Sequence, residues 1–156
     1  MIKVLFICLG NICRSPMAEA IFRDLVKKEG LSDEVIVDSA GIGDWHVGSA
    51  PHQGTRNLLD NLSISYQGIS ARQVTDKDWE DFNYIIAMDE KNINDLNAIR
   101  NQHGEVVVKR LMEFVANPKE ENVPDPYFTN NFEYTYELVS QGCKELFKEI
   151  RAAHNL

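Results

Sequence analysis

Three features of the 156-residue sequence predict an α/β protein built on a parallel sheet. Val4-Leu5-Phe6-Ile7 is a short continuous apolar run, the pattern of a strand covered on both faces. Met17, Ile21 and Leu25, with Ala18 and Phe22 alongside, then form a helical stripe. Val35-Ile36-Val37 is a second apolar run. A strand, loop, helix and strand in that order imply a right-handed crossover and parallel pairing. The length suits one domain, residues 1–156, with enough chain to bury a core.

Along the chain, Ser15 suits a helix N-cap and Pro16 the first helical position, and Gly30 is a natural stop. The second strand ends at Asp38-Ser39-Ala40-Gly41. The stretch from Gly41 to Pro51 is rich in Gly and Ser, carries Trp45 and His46, and reads as a surface loop. A helix is predicted from Gln53 to Asn61. Tyr84-Ile85-Ile86-Ala87-Met88 is the third strand, with Asp89 at its end and a helix over Lys91 to Arg100. Val106-Val107-Val108 starts a fourth, weaker strand, and Pro118 to Pro126 is a Pro- and charge-rich loop. Phe132, Tyr136, Val139, Cys143, Phe147 and Ile150 recur at three and four residues, so the last helix turns one face to the core. No internal repeat, low-complexity tract or linker interrupts this pattern.

The net charge of −8 argues against non-specific nucleic-acid binding, which needs a basic face. Any anionic ligand must therefore be captured locally, against the overall field. Cys8, Cys13 and Cys143 are an odd and sparse set, unlike a disulfide framework, and no Cys/His cluster has zinc spacing. No apolar run approaches the roughly 20 residues that span a bilayer, and the first residues lack a signal h-region and cleavage site. The expectation is a cytoplasmic protein without a metal or membrane insertion.

The chemistry concentrates at Cys8-Leu9-Gly10-Asn11-Ile12-Cys13-Arg14-Ser15, between the first strand and the first helix. Ligands of open α/β sheets sit outside the carboxyl ends of the strands. A loop there can turn its N–H groups on an anion, and the following helix adds its positive end. What stabilises a phosphate also stabilises a thiolate. Arg14 supplies a planar fork for two phosphate oxygens at once. The C-x5-R pattern thus reads as a nucleophile inside an oxyanion cradle; the plain alternative is a small buried Cys8 and a surface Arg14. A phenolic leaving group needs a proton from a rigidly held acid. Pro124-Asp125-Pro126, followed by Tyr127, offers a carboxylate between two prolines, although such a tripeptide is also an ordinary turn.

The first block and Asp125-Pro126-Tyr127, together with Asp38-Ser39-Ala40-Gly41, Ala71-Arg72-Gln73 and Ala87-Met88-Asp89, resemble the low-molecular-weight protein tyrosine phosphatases. The resemblance runs from the first strand to the last helix. It implies a four-stranded parallel sheet with helices on both faces, a Rossmann-like three-layer sandwich. It also implies a metal-free, cofactor-free, two-step hydrolysis. Cys8 would attack phosphorus, Arg14 and the N–H groups of Leu9 to Ser15 would hold the phosphoryl oxygens, and Asp125 would serve as acid and then base. Asn11 would tether the loop, and Ser15 would donate a hydrogen bond to the Cys8 sulfur. Trp45 and Tyr127 fall in the two loops that form the cleft mouth in that family, and Phe128 stands where many relatives carry a second tyrosine. Cys8 and Cys13 would be able to form a reversible disulfide. The implied partners are phosphotyrosine-containing proteins; oligomeric state stays open, with a monomer as the working expectation.

Rival readings meet specific residues. Protein-arginine phosphatases of the same fold tend to carry threonine where this chain has Ile12, which offers no hydroxyl to a guanidinium nitrogen. Thioredoxin-linked arsenate reductases need further cysteines near the third strand, and residues 80–100 contain none. A Cys/His hydrolase would need a basic histidine, yet His46, His52, His103 and His154 show no pairing with Cys8 in the sequence. A phosphotyrosine-binding module would need neither nucleophile nor acid.

Overall fold

The computed structural model describes residues 1–156. Four strands, β1 (Ile2–Cys8), β2 (Val35–Gly41), β3 (Tyr84–Ala87) and β4 (Val107–Arg110), form one parallel sheet in the order β2-β1-β3-β4. The helices are α1 (Arg14–Lys28), α2 (Gln53–Asn61), α3 (Asp78–Asp81), α4 (Glu90–Ile99), α5 (Pro126–Thr129) and α6 (Phe132–His154).

The pleat of β1 divides the core in two. Val4, Phe6 and Cys8 point to the face covered by α1 and α6, while Leu5 and Ile7 point to the face covered by Trp79 of α3 and Leu96 of α4. Phe22 of α1 sits edge-on to both Phe6 and Phe147, with ring centroids 5.6 Å away in each case. Such pairs add about 0.5–1.5 kcal/mol each beyond area burial. Cys143 is wholly buried on α6, so the third thiol is a core residue. The chain leaves β1 toward β2 on one side and β3 on the other, which makes the β1/β3 carboxyl edge the switch point where ligands of such sheets bind.

Several boundaries depart from the sequence expectation. α1 begins at Arg14, with Cys13 at the N-cap and no capping side chain; Ser15 lies inside the first turn, so it is not the cap. Its hydroxyl instead lies against the Cys8 sulfur. β2 continues through Asp38-Ser39-Ala40-Gly41, because Gly41 still pairs with Cys8. β3 stops at Ala87, and Asp89 caps α4 by accepting from the Asn92 N–H. β4 begins at Val107. The short α3, the short α5 and a 3₁₀ turn at Leu111–Phe114 were not anticipated. No helix is long and apolar enough to cross a membrane.

Candidate active site

Residues 9–13 leave the end of β1 and turn back beneath the N-terminus of α1. The carbonyls of Cys8, Leu9 and Ile12 are tied outward: Cys8 accepts from the Ile42 N–H at 3.0 Å, Leu9 from Gly43 at 3.0 Å, and Ile12 from His52 at 2.7 Å. The Thr55 hydroxyl donates to the Cys13 carbonyl at 3.2 Å. None of the backbone N–H groups from Leu9 to Cys13 donates to another group of the protein. Buried and partly buried amides without partners are rare in folded chains. A run of them at a helix N-terminus is a nest for an anion.

Asn11 sets the shape of this loop from a left-handed conformation, φ 57°. Its Oδ1 accepts from the Arg72 backbone N–H at 3.0 Å, which fixes which end of the amide is oxygen. Its Nδ2 donates to Ser15 Oγ at 2.7 Å and to Ser39 Oγ at 2.9 Å. Ser15 Oγ lies 2.9 Å from Cys8 Sγ. Since Ser15 already accepts from Asn11, its single proton is free for the sulfur. Ser39 in turn donates to Glu19 Oε1 at 2.6 Å. Burial pushes the Glu19 carboxyl up to about 7, against the lowering effect of that hydrogen bond. Arg72 secures the far side, its guanidinium held by Asp38 and by both oxygens of Asp78.

Arg14 is 2% exposed. Its Nη1 donates to Asp89 Oδ2 at 2.6 Å and to the Val123 carbonyl at 2.9 Å, and Nη2 reaches Asp125 Oδ2 at 3.3 Å. Its buried Nε has no hydrogen-bond partner. Burial opposes the guanidinium charge, but Cys8, Asp125 and the Asp89 hydrogen bond outweigh it and hold Arg14 above its ordinary value. Asp125 caps α5 through Oδ1, which accepts from the Tyr127 N–H at 3.0 Å, and Pro126 occupies the first turn. The Val123 N–H donates to the Met88 carbonyl at 2.9 Å, so the aspartate loop is strapped to the end of β3.

The resulting pocket encloses about 220 Å³. Cys8, Gly10, Ile12 and Cys13 line it from below and Trp45, His46, Asp125, Tyr127 and Phe128 line it from the sides, with Leu9 completing the wall. Trp45, Tyr127 and Phe128 are 66%, 54% and 75% exposed, an aromatic rim that water reaches. Burial, then the charges of Asp125 and Cys8, push the Cys13 thiol up to about 12, with Arg14 opposing them. The structure thus places every site residue singled out from the sequence at one end of the sheet. Asp89, Glu19, Ser39, Arg72 and His46 join them; sequence reasoning missed these as site residues. His46 lies against Gly10 and shares the pocket with Cys8, and no hydrogen bond joins the two.

A model of the family described as low molecular weight phosphotyrosine protein phosphatase matches residues 3–156. The chain is 50% identical over 156 residues to the low molecular weight protein-tyrosine-phosphatase YfkJ of Bacillus subtilis, covering both chains in full.

The chain belongs to the low molecular weight protein tyrosine phosphatase family.

The crystal structure of YfkJ superposes with a TM-score of 0.96, covering 99% of this chain and 97% of that one. PtpA of Staphylococcus epidermidis is 45% identical over 157 residues, covering all of this chain and 98% of its own. A structure described as a drosophila arginine phosphatase is 32% identical, with a TM-score of 0.86 over 96% of this chain and 98% of that one. One fold thus carries proteins named as tyrosine phosphatases and one named as an arginine phosphatase.

Proposed function

We propose that this single domain, residues 1–156, hydrolyses phosphotyrosine in proteins in two steps through a phosphocysteine. The carrying observation is the run of unpartnered N–H groups from Leu9 to Cys13 that directly follows Cys8, together with the unpartnered Nε of Arg14. Those donors match the three non-bridging oxygens of a phosphoryl group. The Cys8 thiolate attacks phosphorus while the bond to the phenolic oxygen breaks, and Asp125 gives that oxygen its proton. Asp125 then takes a proton from water as the water attacks phosphorus and the thiolate departs into the Ser15 hydrogen bond. Phosphoryl oxygens arriving on Arg14 displace the 3.3 Å contact to Asp125 and release its carboxyl toward the leaving group. Asp89 keeps the guanidinium in place throughout.

For the substrate, Trp45 and Tyr127 provide faces that flank a phenyl ring, and Phe128 extends the rim. Ile12 gives the pocket floor no hydroxyl, which favours a phenyl ring over a guanidinium. The alternative substrate is phosphoarginine, on the strength of the arginine phosphatase relative. Cys8 and Cys13 form a reversible redox pair in this reading, and no metal or cofactor takes part. The protein works as a monomer in the cytoplasm on phosphotyrosine-containing proteins.

Turnover of p-nitrophenyl phosphate in EDTA tests the reaction, and paired phosphotyrosine and phosphoarginine peptides test the substrate. Cys8→Ser is expected to abolish turnover, and Asp125→Ala to slow the phosphotransfer step by about 10²–10⁴-fold. Turnover that survives Cys8→Ser, or that requires an added metal, contradicts the mechanism. Faster hydrolysis of phosphoarginine contradicts the substrate.

A further inference from the structure

Glu19 has no part in the reaction as described, yet it is a carboxyl only 7% exposed on the second turn of α1. Its buried neighbours on that helix include Ala18, Ala20, Ile21 and Phe22, so the position is one where an apolar side chain would be cheaper. What Glu19 gains is a single short hydrogen bond from Ser39. That bond decides a question of proton direction. A serine hydroxyl has one proton. With the Ser39 proton committed to Glu19, a lone pair is left to face Asn11 Nδ2, and the 2.9 Å contact there becomes an accepting one. The other Nδ2 proton is given to Ser15, whose own proton then turns to the Cys8 sulfur. The Arg72 N–H on Asn11 Oδ1 prevents the amide from rotating to relieve a conflict. Were the Ser39 proton uncommitted, it could turn against Asn11, donor to donor, and loosen the left-handed residue that shapes the loop.

We infer that Glu19 is a positioning residue for the hydrolysis: its carboxyl, acting through Ser39 and Asn11, holds the Ser15 hydroxyl on the Cys8 sulfur. This rests on the reading of Cys8 as the nucleophile. The charged groups around Glu19 are Asp38 on β2, Arg23 further along α1, and Arg72 in the segment after α2. Asp38 and burial disfavour its ionised form and the two arginines favour it, so the group changes charge close to neutral pH.

The test reads the sulfur directly, as the rate of Cys8 modification by iodoacetamide across the pH range, with p-nitrophenyl phosphate turnover alongside. Glu19→Leu removes the acceptor and is expected to slow modification about tenfold and to move its pH midpoint upward. Glu19→Gln still offers Ser39 an amide oxygen and is expected to recover most of that loss. Because Glu19 acts through Ser39, the Glu19→Leu/Ser39→Ala double variant should be no slower than the slower single variant. Unchanged modification in Glu19→Leu, or effects that multiply in the double variant, overturns the inference. If Glu19→Leu does not fold, the ¹³C carboxyl shift of Glu19 supplies the reciprocal measurement. Its midpoint should move when Cys8 is modified, and that movement should vanish in Ser39→Ala; a midpoint indifferent to Cys8 overturns the inference. Modification needs no phosphoester, so loss of the Glu19 effect with intact turnover leaves the phosphatase reading standing. Absence of turnover in the unsubstituted protein removes that reading instead.

Discussion

Cys13 lies one residue before Arg14, and its side chain lines the same pocket as Cys8. Burial holds it as a thiol, pushed up to about 12, so it is a poor nucleophile at rest. A thiol is nevertheless what is needed once peroxide has converted Cys8 to a sulfenic acid: the two condense to a disulfide with loss of water. Peroxide treatment followed by thiol mapping should give a Cys8–Cys13 disulfide that dithiothreitol reverses with recovery of activity. Sulfinic acid on Cys8 beside a free Cys13 counts against it. At this scale the sequence was informative wherever chemistry was compressed into consecutive residues. Cys8, Asn11, Arg14 and Ser15 lie within eight consecutive residues, and Asp125 is marked by its flanking prolines. Asp89 and Glu19 carry no such mark. They are two among 24 acidic residues, and each is given its role by a partner 75 or 20 positions away in the chain.

Between elements, side-chain volume decides. Gly142 of α6 faces the Leu111 side chain, and a Cβ built there would stand 2.5 Å from Leu111 Cγ and 2.9 Å from Cδ2. Leu111 is fully buried, so its side chain can give way only by repacking the core around it. Alanine would gain about 1 kcal/mol of helix propensity but meet an overpacking cost of about 1–3 kcal/mol. Gly142→Ala is therefore expected to lower Tm by about 2–4 °C, read by circular dichroism, despite being a better helix former. A raised Tm would show that α6 and the 3₁₀ turn part easily. Helices with a long apolar stripe or clear punctuation were readable in advance: α2 was placed at its observed limits and α6 by its buried face. The four-residue α3 and α5 are too short to show a period. The start of α1 was set two residues too late, at Ser15 instead of Cys13, because a serine before proline resembles an N-cap, whereas here the hydroxyl lies against sulfur.

For the molecule as a whole, Glu19 links stability to pH. Its native value, about 7, lies above the ordinary 4.5, so the folded state holds that proton more tightly than the unfolded state. Stability from this group is therefore full below the ordinary value and falls as pH rises toward 7, by up to about 3 kcal/mol. Glu19→Gln lacks this loss. Relative to the unsubstituted protein it should be more stable at about pH 8 than at about pH 5, as urea midpoints will show. An equal difference at the two pH values would mean that Glu19 does not titrate in this window. Strand order was beyond the reach of apolar periodicity, which identifies strands but not their neighbours. The apolar runs marked the four strands and the opening crossover implied parallel pairing, whereas the order β2-β1-β3-β4 came from the structure.

That order places β1 between two partners along most of its length, with Val4 to Ile7 paired on both sides. Amides in such an interior strand exchange with solvent only when the entire sheet opens, whereas edge strands and loops can fray on their own. Cys8 is thus attached to an interior strand expected to exchange slowly, and its partners hang from the same carboxyl edge. Partial opening at the β4 edge or at the end of α6 leaves Cys8 in place. Heat should therefore extinguish catalysis and erase β1 protection together, as one event.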